Sequence, residues 1–143
     1  MHVPIDSFSG EYAFLSNFYY FNKGGGKFTT VEHLYQAAKT NNPEQRNVIL
    51  AASTPALAKK IGRKVDLVEG WDKSKIDVMR KLVSYKFSYD YRLRDKLLST
   101  QDAELIEGNH WGDTFWGVCN GIGENWLGRI LMEVREKVRK GEV

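Results

Sequence analysis

The chain has 143 residues, a formal net charge of +3, 42% hydrophobic and 13% aromatic side chains, and one cysteine. That length suits one domain with a sizeable core, held without disulfides or structural metals, and the single cysteine excludes an intramolecular disulfide and fits a reducing compartment. Lys and Arg are scattered and largely offset by Asp and Glu, which argues against the clustered basic face of a nucleic-acid binder but leaves enough cations for a small phosphorylated ligand.

The first third is aromatic and turn-rich from Phe8 to Phe21. Lys23-Gly24-Gly25-Gly26-Lys27 predicts a hairpin turn between two short strands; it lacks the Gly-Lys-Ser/Thr ending of a phosphate loop. Thr29-Thr30-Val31-Glu32 reads as a capping box that opens a helix running to Lys39. Asn42-Pro43 and Thr54-Pro55 each open a further helix with proline at its first position, and Gly62 ends the second of these. Asp72 is expected to cap a fourth helix, on which Ile76, Met79, Val83 and Phe87 recur at helical spacing. A short fifth helix covers about Tyr91 to Leu98. Residues 104–107 and 114–118 read as two short strands. Asn125 is expected to cap a last helix with one apolar stripe of Leu127, Ile130, Leu131, Val134 and Val138, ending near Gly141. The expectation is one mainly α domain over residues 1–143, of short helices with a small antiparallel β element. Three histidines and Cys119 give no metal-ligand spacing. With no apolar h-region at the N-terminus and no run long enough to span a bilayer, the expected address is the cytoplasm.

The stretch from Glu107 to Gly117 concentrates two carboxylates, an imidazole, an amide, two tryptophans and three glycines in eleven residues. Gly and Asn disfavour a helix interior there, and the polar groups are costly as plain core. It reads either as the wall of a polar pocket for a flat ligand or as a tight loop with two tryptophans plugging the core. On the helix that opens at Thr29, Glu32, Gln36 and Lys39 share a face flanked by Tyr35; such a face can bind a polyhydroxy ligand or be solvated with weak ion pairs. Trp71 before the fourth helix is core or a stacking wall opposite Trp116. Among Lys59, Lys60, Arg63, Lys64 and Arg80, Arg63 at a helix end is placed to grip a phosphate, and the others read mainly as a solvated charge run.

Phe14-Leu15-Ser16-Asn17-Phe18-Tyr19, the run from Val31 to Lys39, Trp71, the run from Met79 to Phe87, residues 98–107, Trp111-Gly112-Asp113, Trp116-Gly117 and the run from Asn125 to Arg135 together resemble the YbiA-like, or NADAR, family. The match follows the chain in order over nearly its whole length. One motif departs slightly, reading Trp-Gly-Asp with no residue between Gly112 and Asp113. The resemblance implies a mainly α fold and N-glycosidase activity on phosphoribosylaminopyrimidine intermediates of riboflavin biosynthesis; the alternative it carries is removal of ADP-ribose from guanine bases of nucleic acid. Carried onto this chain, it implies Glu32, Lys39 and Asp113 as catalytic residues and Trp71 and Trp116 at the substrate, with Asn17, Phe18, Arg63 and Asn125 as further ligand or phosphate contacts.

Cleaving a C1′–N bond requires charge stabilised at C1′, a proton for the leaving nitrogen and an attacking group. Asp113 is assigned to C1′ or to water, Glu32 to proton transfer, and Lys39 either to orienting a hydroxyl or phosphate or to attack on C1′ as a neutral amine. Glu107 and His110 are read as shaping the loop. No metal or redox cofactor is needed, and the expected partner is a small phosphorylated ribosyl substrate, the alternative being an ADP-ribosylated nucleic acid; no membrane and no obligate protein partner are expected. A module that binds ADP-ribose without turnover is the rival from another class.

Overall fold

Side chains that accept from the first free N–H groups of a helix set most of the helix starts. In the computed structural model, which describes residues 2–143, Thr30 caps α1 (Val31–Ala38), Asn42 caps α2 (Pro43–Leu50), Thr54 caps α3 (Pro55–Gly62) and Asp90 caps α5 (Tyr91–Ser99). The other two starts differ from expectation. Asp72 does not cap α4 (Trp71–Tyr89): left-handed Gly70 precedes it, and Asp72 lies in its first turn. Asn125 does precede α6 (Trp126–Arg139), but its side chain makes no capping bond.

The start of α1 is displaced by one residue from the capping-box reading. Thr29 belongs to a strand, paired with Phe21, and cannot cap. Thr30 takes its place, accepting from His33 N–H at 3.1 Å. The reciprocal partner is the His33 ring, whose Nδ1 lies 2.8 Å from the Thr30 hydroxyl. Its Nε2 lies 2.9 Å from the Ala52 carbonyl, which can only accept, so Nε2 carries the proton and Nδ1 accepts from Thr30. Glu32 is thereby released from capping duty.

Strands β1 (Phe21–Asn22) and β2 (Phe28–Thr29) form the expected antiparallel hairpin, closed by three glycines at positive φ. The second β element was expected at 104–107 and 114–118. It is instead β3 (Gly108–Asn109) and β4 (Val118–Cys119), and these run parallel. The backbone groups of the expected strands are engaged elsewhere. Ile5 N–H donates to the Glu104 carbonyl and Ile106 N–H to the Ile5 carbonyl, both at 2.8 Å. The carbonyls of Phe115, Trp116 and Gly117 accept from Trp126, Leu127 and Asn125 N–H groups, so they satisfy three otherwise free donors at the start of α6, and the Thr114 carbonyl accepts from Glu124 N–H just ahead of it.

The main core joins the stripe of α6 to Met79, Val83 and Phe87 of α4, with Leu15, Phe21, Val31, Leu93, Leu97 and Leu105 around them. A small second core of Ala37, Ile49 and Ala58 lies where α1, α2 and α3 meet. Helix α1 is thus covered from several sides, burying Glu32, His33 and Gln36 with Val31, Tyr35 and Ala37. Lys86 on α4 is also buried, 1% exposed, and its Nζ donates to the Ser16 carbonyl at 3.0 Å. No helix among the described residues is long and apolar enough to cross a membrane.

Candidate active site

Because α1 begins at Val31, Glu32 stands in its first turn and Lys39 at its C-terminal cap, with Gln36 between them. This face is not solvated. Glu32 is 7% exposed; its N–H donates to the Asn17 carbonyl at 3.0 Å and its Oε2 accepts from Gln36 Nε2 at 2.5 Å. Burial pushes the Glu32 carboxyl above the usual range, opposed by the Gln36 bond and by the charges of Lys59 and Lys39. Burial pushes the half-buried Lys39 amine the other way, below its ordinary value; Glu32 opposes this, and Lys59, Arg63 and Lys75 reinforce it. A carboxyl raised and an amine lowered on one helical face hold a larger share of protonated acid and free amine near neutrality than the same groups in water.

Asp113 comes from the loop between β3 and β4. Its Oδ1 accepts from Phe115 N–H at 3.1 Å and Trp116 N–H at 2.9 Å, the geometry of an Asx turn. Asn109 brackets the same residue, accepting from Asp113 N–H at 3.0 Å through Oδ1 and donating to the Asp113 carbonyl at 2.9 Å through Nδ2. The loop is therefore held from both ends, and Asp113 is aimed by backbone bonds rather than by chance.

Tyr35 joins helix and loop. Its ring meets Trp116 edge-on at 5.6 Å between centroids, tilts against Trp71 at 5.3 Å, and lies 5.7 Å from Lys39 Nζ. Burial pushes its hydroxyl well above the ordinary range, and the negative charges of Glu32, Asp113 and Asp72 add to the effect. The carboxylates of α1 and of the loop thus act on one phenol. Trp71, first residue of α4, is 7% exposed and lies mostly in the core, whereas Trp116 is only half-buried.

The remaining predicted positions surround this centre unevenly. Asn17 presents its carbonyl to Glu32 and its amide to Met79 Sδ at 3.6 Å. Phe18 is 39% exposed. Arg63, the C-cap of α3, is exposed and adds positive charge near Lys39. Both functional atoms of the Asn125 amide are committed to main chain: Oδ1 accepts from Glu107 N–H at 2.9 Å and Nδ2 donates to the Leu105 carbonyl at 3.0 Å.

Three groups join the centre that sequence reasoning did not place there. Glu107, read as a loop-shaping residue, has its carboxyl pushed up to about 7, chiefly by burial, with Asp113 and Glu32 adding repulsion. Its Oε2 accepts from Asn109 Nδ2 at 3.2 Å. Lys59, dismissed with the charge run on α3, acts on Glu32, Lys39 and Glu107. Lys75 lies 4.2 Å from the Phe115 ring centroid; it follows Trp71 at i+4, and that spacing was the available signal.

Comparisons with known proteins give the family. The model of the NADAR domain family matches residues 6–139. The chain is 37% identical over 141 residues to N-glycosidase YbiA of Shigella boydii, covering 95% of this chain and 88% of that one. It is 37% identical over 147 residues to a riboflavin biosynthesis protein of Vibrio vulnificus, covering 98% of this chain but 40% of that longer protein. The NMR structure of Escherichia coli YbiA superposes with a TM-score of 0.84 at 35% identity, over 99% of this chain and 89% of the other. The chain belongs to the NADAR domain family.

Proposed function

We propose that this protein is an N-glycosidase that hydrolyses the C1′–N bond of phosphoribosylaminopyrimidine intermediates of riboflavin biosynthesis. The observation that carries the reading is the placing on α1 of a buried Glu32 and a half-buried Lys39 on either side of Tyr35, whose ring meets Trp116 of the Asp113 loop at 5.6 Å and lies 5.7 Å from Lys39 Nζ. Relatives named N-glycosidase, and one named for riboflavin biosynthesis, support the reaction class and the substrate respectively.

Glu32 gives its proton to the leaving nitrogen as the C1′–N bond breaks, which uncouples departure from the poor basicity of the aminopyrimidine. Asp113 stabilises the positive charge that develops at C1′ or takes a proton from the attacking water. Trp116 walls the base or ribose, and Lys39, Lys59 and Arg63 supply positive charge for the phosphate. In the covalent variant, neutral Lys39 attacks C1′ as the base departs. The ribose ring then opens to a Schiff base, and water releases Lys39 and the sugar phosphate.

The test is base release from the phosphoribosyl substrate and, side by side, from an ADP-ribosylated guanine. Glu32→Gln, Lys39→Ala and Asp113→Asn are each expected to reduce release by at least about a hundredfold, the range for loss of a positioned acid, base or nucleophile. Wild-type turnover in all three variants refutes the site. Release only from the ADP-ribosylated base transfers the reaction to the second substrate, and binding of ADP-ribose without release from either makes the protein a binding module. Borohydride added during turnover is expected to trap sugar phosphate on Lys39; normal turnover without an adduct eliminates the covalent variant.

A further inference from the structure

Gln36 follows Glu32 by one turn of α1 and is 3% exposed. Its amide has a donor end and an acceptor end. The donor end is used, with Nε2 on Glu32 Oε2 at 2.5 Å. The acceptor end is not: Oε1 is the one buried side-chain oxygen or nitrogen without a hydrogen-bond partner among the described residues. It is pressed onto α3, where a Cβ added to Gly62 would lie 1.9 Å from Oε1 and 2.7 Å from Cδ. An apolar side chain of similar volume would fill this seat without leaving a buried acceptor unmatched.

The unmatched end has a use if Glu32 changes its protonation. An ionised carboxylate only accepts, so it needs the Nε2 end; a protonated carboxyl has a proton to donate, and the Oε1 end can take it. Both forms are accessible at this position. Burial favours the neutral one, while Lys59 from α3 and Lys39 on α1 favour the ionised one, as His33 on α1 does when its ring takes up a second proton; Glu107, from the segment ahead of β3, faces the same carboxyl with like charge. Lys75 of α4 bears on the neighbouring Lys39.

We propose that Gln36 is the positioning residue that holds Glu32 through both halves of its proton transfer, Nε2 donating to the ionised carboxylate and, after a half-turn of the amide, Oε1 accepting from the protonated carboxyl. Gly62 is the bare seat that lets either end of the amide face α3. The proposal rests on the assignment of Glu32 as the proton donor to the leaving nitrogen. The balance is closed: the proton Glu32 gives up leaves with the base, the amide turns its donor end to the new carboxylate, and the proton released by the attacking water, taken directly or passed on from Asp113 through solvent, restores the Glu32 carboxyl and its pairing with Oε1.

The experiment follows the Gln36 side-chain amide and the Glu32 carboxyl carbon by NMR along pH in isotopically labelled protein, without substrate. Both are expected to shift with one midpoint, and in Glu32→Gln the Gln36 signal is expected to lose that transition. A Gln36 amide that stays flat while Glu32 titrates overturns the proposal. In Gln36→Leu the Glu32 midpoint is expected to move to higher pH, because the charge-assisted bond to the carboxylate is stronger than the neutral bond it alternates with. Gly62→Ala, which keeps Gln36 but displaces its amide, is expected to move it the same way. The alkaline limb of kcat/KM for base release, where the Glu32 proton is lost, should follow the midpoint in both variants while KM is little changed; midpoints unchanged in both variants overturn the proposal. Coupled titration in a protein that releases no base would leave the exchange of the Gln36 amide between the two forms of Glu32 standing, and would remove the glycosidase reading and with it the place of that exchange in proton transfer to a leaving nitrogen.

Discussion

Replacing Lys86 with methionine tests how the core of this protein bears a charge. Lys86 is 1% exposed, donates to the Ser16 carbonyl, and has its Nζ 5.1 Å from the Phe87 ring centroid and 6.0 Å from that of Tyr19. Burial pushes its amine down to about 7, with only Asp90 opposing. The folded-state value lies below that of the unfolded chain, near 10.5, so between those two values the unfolded state binds the extra proton and stability rises with pH. The limiting slope is about 1.4 kcal/mol per pH unit. Allowing for partial titration near the lower value, the amine contributes a rise of about 2 kcal/mol between about pH 7 and about pH 9. Methionine fills the same space without a titrating group. Urea unfolding of both proteins at the two pH values should therefore show the stability of Lys86→Met relative to wild type falling by about 2 kcal/mol as pH rises. A difference that is constant over this range would mean that Lys86 holds its proton in the fold as firmly as in water, and the argument from burial would be wrong.

Glu107 titrates with the opposite sign. Its folded-state value of about 7 lies above the ordinary 4.5, so the fold binds the extra proton between them, and stability falls as pH rises through that window; Glu107→Gln should remove this fall in pH-dependent melting curves while matching wild type below it. Thr30→Ala deletes the cap of α1 and the hydroxyl that His33 Nδ1 accepts from. It should cost about 1–2 kcal/mol by chemical denaturation. Gly117→Ala puts a Cβ 2.1 Å from the Glu107 carbonyl oxygen and 1.9 Å from its Oε2; the pairing of β3 with β4 must give, at about 1–3 kcal/mol, and base release should fall with it.

Helix starts were legible where a capping side chain and a proline stand together, as at Asn42-Pro43 and Thr54-Pro55, because both act within one turn of chain. They were misread where a distant partner decides. Thr29 has the side chain of a cap, but its pairing with Phe21 takes it into a strand and passes the cap to Thr30. The strands around the loop were misplaced for the same reason: Glu104 and Ile106 find their partner in Ile5, about a hundred residues earlier in the chain. Glu32, Lys39 and Asp113 were legible as reactive residue types, and the resemblance named them. Their effect on one another was not legible, since it depends on Tyr35 and on the depth of burial on α1. Glu107 was underrated because nothing in its local run shows that its carboxyl is withdrawn from water.

The carbonyls of Phe115, Trp116 and Gly117 bond the start of α6 and that of Thr114 bonds the residue just ahead of it, and together they tie the loop of Asp113 and Trp116 to the C-terminal helix. The loop cannot swing aside as a hinged cover without stripping the first turn of α6 of its partners. On the proposed function, a substrate enters past a fixed rim, and specificity rests on shape already present before binding. Strain travels the same route in reverse: unravelling α6 as far as its first turn would loosen the loop of Asp113 and Trp116 without any change in the loop's own sequence.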